Sequence, residues 1–217
     1  MSELNEAEQL EEVKGWFKEN GLWIVAGIVI GVGGLAGWGW YKQHRETQME
    51  TASARYDSML DAFTRNDRTR GLTLVEEINR EYAWTPYAQL ANLIAARVHV
   101  EANELDKAAA SLKAVVDTAE DDEVKLIARQ RLARVLSDQG KHDEALATLK
   151  VEDAGAFGPR LAETRGDVLL AKGDRDGALR EYQAARVAAK DGVIDVDLIE
   201  LKIRDLGGTP PPREEES

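Results

Sequence analysis

The chain has 217 residues, a formal net charge of −12 and no cysteine. Disulfides, thiolate metal sites and cysteine nucleophiles are therefore excluded. With 40 Asp and Glu against 28 Lys and Arg, the balance also argues against nucleic acid or an anionic lipid surface as the main partner, since both require clustered cations.

The chain opens on an acidic leader, residues 1–20, with Glu3, Glu6, Glu8, Glu11 and Glu12. Gly21 to Tyr41 then reads GLWIVAGIVIGVGGLAGWGWY, without one Asp, Glu, Lys or Arg. As a helix this run spans about 30 Å, the thickness of a bilayer core. Its aliphatic residues favour insertion by only about 2–5 kcal/mol, so the assignment rests on length and on the absence of charge. Trp16, Phe17 and Trp23 stand on one side and Trp38, Trp40 and Tyr41 on the other, as two headgroup-level belts would. Lys42 and Arg45 follow, placed to snorkel. A cleaved signal peptide needs a basic start, a shorter apolar core and a small-residue cleavage site, and none of these is present. A buried globular helix seldom runs this long without a polar face. The reading is a retained membrane anchor.

Within the anchor, Gly27/Gly31 and Gly33/Gly37 are two small-xxx-small pairs, candidate packing positions for another membrane helix. Flanking charge leaves orientation open, because Lys14 and Lys18 precede the span while Lys42, Arg45 and Arg55 follow it.

Between Thr51 and Leu206 apolar residues recur at helical spacing, with Gly, Asn and Pro as punctuation, which predicts short helices of about a dozen residues. Three segments are self-similar at offsets of 37 and 33 residues: AARVHVEANELDKAAASL from Ala95, LARVLSDQGKHDEALATL from Leu132 and RGDVLLAKGDRDGALREY from Arg165. Each has a small residue on its first helix (Ala96, Ala133, Gly166), then a turn residue (Asn103, Gly140, Gly173). An alanine follows on the second helix (Ala108, Ala145, Ala178), and then a large residue (Leu112, Leu149, Tyr182). Small residues let antiparallel helices approach, Asn or Gly takes the left-handed cap, and the large residue fills the space beneath. Asn66, Gly71 and Val75 fall in step as a degenerate upstream unit, and DVDLIELKIRDL from Asp195 reads as a terminal capping helix. The pattern resembles the tetratricopeptide repeat, although Asn92, Arg129 and Ala162 occupy positions where that repeat has an aromatic. The expected fold is all-α: one N-terminal transmembrane helix followed by a tetratricopeptide-like α-solenoid of antiparallel helix pairs. The expected boundaries are a tail at 1–20, the membrane helix at 21–41, the helical domain at 42–206 and a disordered tail, GGTPPPREEES, at 207–217.

No catalytic signature is visible. His44, His99 and His142 are far apart in sequence, with His142 expected in an inter-helix loop, and none has a second ligand at helical spacing. GVGGLAG lies inside the apolar run, where it cannot cradle phosphate. Glu120 to Glu123 reads as the start of a helix, where carboxylates meet the positive end of the dipole. The reading is of a protein without enzymatic activity, cofactor, metal or small-molecule substrate. A helical solenoid instead offers a concave groove along its first helices, suited to an extended peptide or a partner helix. The register places Leu90, Leu93, Arg97 and Val100 of one unit, and Ile127, Gln130 and Arg134 of the next, on that groove. Leu93, Arg97, Val100, Gln130 and Arg134 are the candidate partner-binding residues; surface ion pairing is the plainer reading of the two arginines.

Taken whole, the chain resembles the YfgM family of bacterial inner-membrane proteins. The resemblance is carried by VKGWFKENG in the leader, by the glycine-rich span GIVIGVGGLAGWGWYKQH and by the repeat pieces LARV and RGDVLLAKGDRDGA; the Pro/Glu tail departs from it. It implies an ancillary subunit of the SecYEG translocon, with a cytoplasmic N-terminus and a periplasmic repeat domain. It also implies association with the periplasmic chaperone PpiD and a role in passing secreted chains to periplasmic chaperones. The alternative is an envelope regulator that sequesters a stress-response component through its repeat domain.

Overall fold

The computed structural model describes residues 2–189 and 192–212. Among these residues there are nine α-helices and no strand. The chain divides into two compact units, Met1–Thr51 and Ala52–Ser217.

The first unit is formed by helix α1 (Ser2–Thr64), whose remainder belongs to the second. The acidic leader is thus part of a helix, as its Glu, Leu, Ala and Lys content favours. Along the uncharged run most large apolar side chains are bare, with Leu22 78% and Leu35 75% exposed. It is the one segment among the described residues that is long and apolar enough to cross a membrane. Trp38 packs near Tyr41, Trp40 stacks on His44 at 5.6 Å, and the Arg45 guanidinium lies 5.9 Å from the Tyr41 ring. Aromatic and cationic side chains are thereby gathered at the C-terminal end of the run.

The second unit is a stack of helix pairs. The last turns of α1 pair with α2 (Arg68–Glu81), α3 (Pro86–Glu101) with α4 (Leu105–Thr118), α5 (Asp122–Asp138) with α6 (His142–Thr148), and α7 (Gly158–Lys172) with α8 (Arg175–Val187). Helix α9 (Val196–Asp205) packs on α8. Each hairpin turns at one left-handed residue: Asn66 (φ 62°), Asn103 (φ 56°), Gly140 (φ 75°) and Gly173 (φ 93°). Asn and Gly are the residues that enter this region at least cost. Four turns in register make the upstream unit a full member of the stack. Asp67, Asp121, Asp174 and Asp195 cap the helices that follow them by accepting backbone N–H bonds.

The packing follows the small–large pattern. Ala108, Ala145 and Ala178 are buried, and so are Leu112, Leu149 and Tyr182 beyond them. The upstream helix pair inverts it: Met59 fills the place of Ala96, Ala133 and Gly166, while Gly71 lies against the ring of Phe63. The third hairpin departs from the expected length, because α6 has only seven residues. Asp153 Oδ1 accepts the Gly155 N–H at 2.8 Å, Gly155 turns at φ 47° into a short 3-10 turn (Gly155–Phe157), and Pro159 stands in the first turn of α7. His142 is the first residue of α6 rather than part of a loop.

Helix α9 buries Ile199 and Ile203 and ends on Gly207 (φ 82°), with the Gly208 N–H returning to the Ile203 carbonyl at 3.0 Å. The head of the expected tail therefore closes this helix, and residues 213–217 lie outside the described residues.

Candidate partner-binding groove

Two adjoining cavities lie along the first helices of the stack. The first, about 380 Å³, has Leu93, Ala96, Arg97 and Val100 of α3, Leu112 of α4, and Arg131, Arg134, Val135 and Asp138 of α5. The second, about 530 Å³, has Ile127, Gln130, Arg131 and Arg134 of α5, Arg160 and Glu163 of α7, and 192–195 before α9. Arg131 and Arg134 line both, so an apolar and a polar cavity adjoin at α5, and the two together are the groove.

Leu93, Arg97, Val100 and Arg134 meet in the first cavity, and Gln130 joins Arg134 in the second. Their roles differ. Leu93 is 8% exposed and forms floor that is continuous with the central core. Gln130 is a brace: its Nε2 donates to Thr164 Oγ1 at 3.1 Å, whose hydroxyl donates to the Arg160 carbonyl at 2.9 Å. Arg97 ion-pairs with Glu101 at 3.0 Å on the open surface, as its plainer reading had it. Arg134 makes no ion pair among the described residues. Leu90 is exposed but lines neither cavity.

Arg131, Arg160 and the segment before α9 escaped the sequence reading. Arg131 could have been found, since it stands at i−3 from Arg134 in RQRLAR and shares its face. The loop could not, because it enters the groove only once α9 has folded back.

Polar networks hold the groove walls in place. Glu104 Oε2 receives Arg68 Nη2 at 2.5 Å and His99 Nδ1 at 2.6 Å, tying the start of α2 to the α3–α4 turn. Because the carboxylate only accepts, the proton of this His99 bond sits on Nδ1. The bond from Arg68, followed by that from His99, holds the Glu104 carboxyl down to about 2. At the other end Lys202 of α9 donates to Glu163 at 3.0 Å and Asp167 at 2.7 Å, and Asp167 also accepts the Tyr182 hydroxyl at 2.8 Å. Arg186 and Glu200 join α8 to α9 at 2.8 Å. The acidic run Glu120 to Glu123 starts α5, with Asp121 Oδ1 accepting from Glu123 and Val124. Among the described residues no set of three His, Asp or Glu is arranged to hold a metal ion.

In the membrane-type run, a Cβ at Gly27, Gly31, Gly33 or Gly37 would meet nothing within 4 Å. At 3.6 residues per turn the Gly27/Gly31 pair and the Gly33/Gly37 pair face directions roughly a third of a turn apart.

Residues 14–208 match the model of the tetratricopeptide repeat-like domain family. A relative from Escherichia coli K12 is 32% identical over 202 residues, covering 93% of this chain and 97% of its own length. Relatives from Haemophilus influenzae and Neisseria gonorrhoeae are each 28% identical over 94% of this chain and 98% of their own. All three bear the description ancillary SecYEG translocon subunit. A repeat stack with a bare apolar helix at its head, matched over 93–94% of the chain by such relatives, belongs to the tetratricopeptide repeat-like family of ancillary SecYEG translocon subunits.

Proposed function

We propose that the chain is a single-pass inner-membrane protein that binds the SecYEG translocon and helps pass emerging secreted chains to periplasmic chaperones, PpiD among them. The observation that carries this reading is the near full-length match to proteins described as ancillary translocon subunits. Membership of that family makes the chain a scaffold subunit and not an enzyme. In this reading Gly21–Tyr41 spans the bilayer, the leader is cytoplasmic, and the repeat domain lies in the periplasm.

Anchoring works by confinement. A domain held at the bilayer surface meets partners in the same membrane at high effective concentration, so a weak groove suffices for capture. The groove offers what short-lived capture of an extended chain needs: an apolar floor and a polar wall braced by the buried Gln130–Thr164 bond.

Photo-crosslinkers placed at Arg97 and Arg134 of the full-length protein in native membranes test the assignment. Adducts with translocon subunits or with a periplasmic chaperone are the expected result, and their absence from a saturating survey overturns it. A reporter fused after Glu46 tests the orientation independently, with periplasmic activity expected.

A further inference from the structure

We infer that the groove selects extended segments of partner proteins in which a carboxylate stands beside an apolar side chain. The inference rests on the proposed groove and specifies its ligand. Arg131 and Arg134 are exposed, lie three residues apart on the same face of α5, and have no acidic partner among the described residues. The acids around the polar cavity are engaged: Glu163 receives Lys202, and Asp195 caps α9. Asp138 stands beyond Arg134 on α5 without reaching it as an ion pair. Arg160 Nε donates to the Val193 carbonyl at 2.6 Å, which fixes its position while its charge stays beside the polar cavity.

Two of the four guanidinium groups that line the groove are thus left without a bonded partner among the described residues, in a chain of net charge −12. Guanidinium groups match carboxylates in a two-point geometry that neutral amides do not reproduce at equal strength. Immediately beside them the floor turns apolar, with Leu93, Val100 and Val135. Neighbouring side chains of an extended peptide point to opposite sides of the strand, about 3.3 Å apart along it, so an acid can turn to the arginines of α5 while its apolar neighbour turns to Leu93 and Val100 of α3. A lipid surface fits less well. Anionic membranes are held by clusters of four to eight cations on an open face; here four arginines line a concavity, with Arg97 paired to Glu101 and Arg160 bonded to the Val193 carbonyl.

The test uses the full chain in dodecyl maltoside and a fluorescein-labelled peptide, Gly-Ser-Leu-Asp-Leu-Glu-Ser-Gly, followed by anisotropy. Against the same peptide with Asn and Gln for its acids, affinity should be about tenfold higher, the scale of one charge-assisted bond. Raising the salt should narrow the gap. Arg131→Gln with Arg134→Gln should abolish the preference at unchanged helicity, since neither side chain holds the fold. Replacing both leucines by serine should weaken binding as well.

Equal binding of the acidic and amide peptides overturns the inference. So does displacement by phosphatidylglycerol doped into the micelles, which assigns the arginines to a headgroup. A tenfold gain on removing 213–217 overturns it too, because the chain's own REEES is then the occupant. If crosslinks at Arg97 and Arg134 persist while the preference is absent, the groove stands and only its chemistry is wrong; if both are absent, both readings fall.

Discussion

The ring of Tyr182 occupies the space that a side chain at Gly166 would need: a Cβ built there stands 2.4 Å from Cε1. The ring cannot swing aside cheaply, being fully buried with its hydroxyl bound to Asp167, which also receives Lys202. Burial first, and then the Asp167 bond, pushes the phenol above its ordinary range, so it remains a donor. Helix α7, helix α8 and the terminal α9 thus meet at one glycine.

Gly166→Val should therefore destabilise the domain by about 1–3 kcal/mol, the cost of overpacking, despite the poorer helix propensity of the glycine it replaces. Tyr182→Phe should cost only about 1 kcal/mol, because Asp167 keeps Lys202 as a partner. Urea unfolding of the full chain in detergent, followed by circular dichroism, measures both. A neutral valine would show that α8 moves away freely.

The turns give a second comparison. Asn103 sits at φ 56°, where most side chains are strained. Asn103→Ala should cost about 1 kcal/mol, while Asn103→Gly should cost nothing measurable. The same unfolding assay decides, and equal losses for both variants would mean that the Asn side chain itself holds the turn.

These turns were legible in the sequence because a left-handed cap restricts residue choice at one position, whatever surrounds it. The same holds for Ala108, Ala145 and Ala178, whose burial follows from register alone. What stayed hidden depends on distant partners. Leu149 keeps the buried place of the large residue although α6 stops just before it, so the register concealed the shortened helix. The contact of Arg68 with Glu104 joins residues 36 apart and leaves no periodic trace. Register alone places Arg131 beside Arg134, but that neither has an acidic partner shows only when the acids near them are seen to be occupied.

The Arg68–Glu104–His99 contact predicts a pH dependence. The folded carboxyl of Glu104 sits at about 2, below its unfolded value near 4.3. A depressed carboxyl contributes stability that is present above the unfolded value and lost as pH falls toward the folded one. The urea midpoint should therefore drop between about pH 5 and pH 2 in the native chain, and drop less in Glu104→Gln. Identical drops in the two proteins would show that other carboxylates dominate acid sensitivity.

The two glycine pairs of the anchor make the last prediction. They lie on different faces of α1, and a helix neighbour packs against one face at a time. If one neighbouring membrane helix uses a glycine surface, isoleucine at Gly31 and isoleucine at Gly37 should have unequal effects. One variant should lose most of its photo-crosslinks to neighbouring membrane proteins, and the other should retain them. Both proteins should stay in the membrane fraction, because each substitution adds apolar surface, worth a few tenths of a kcal/mol toward insertion. Loss in both variants would mean that the helix is surrounded on two sides. Loss in neither would mean that the glycines only thin the helix, and that association rests on the repeat domain.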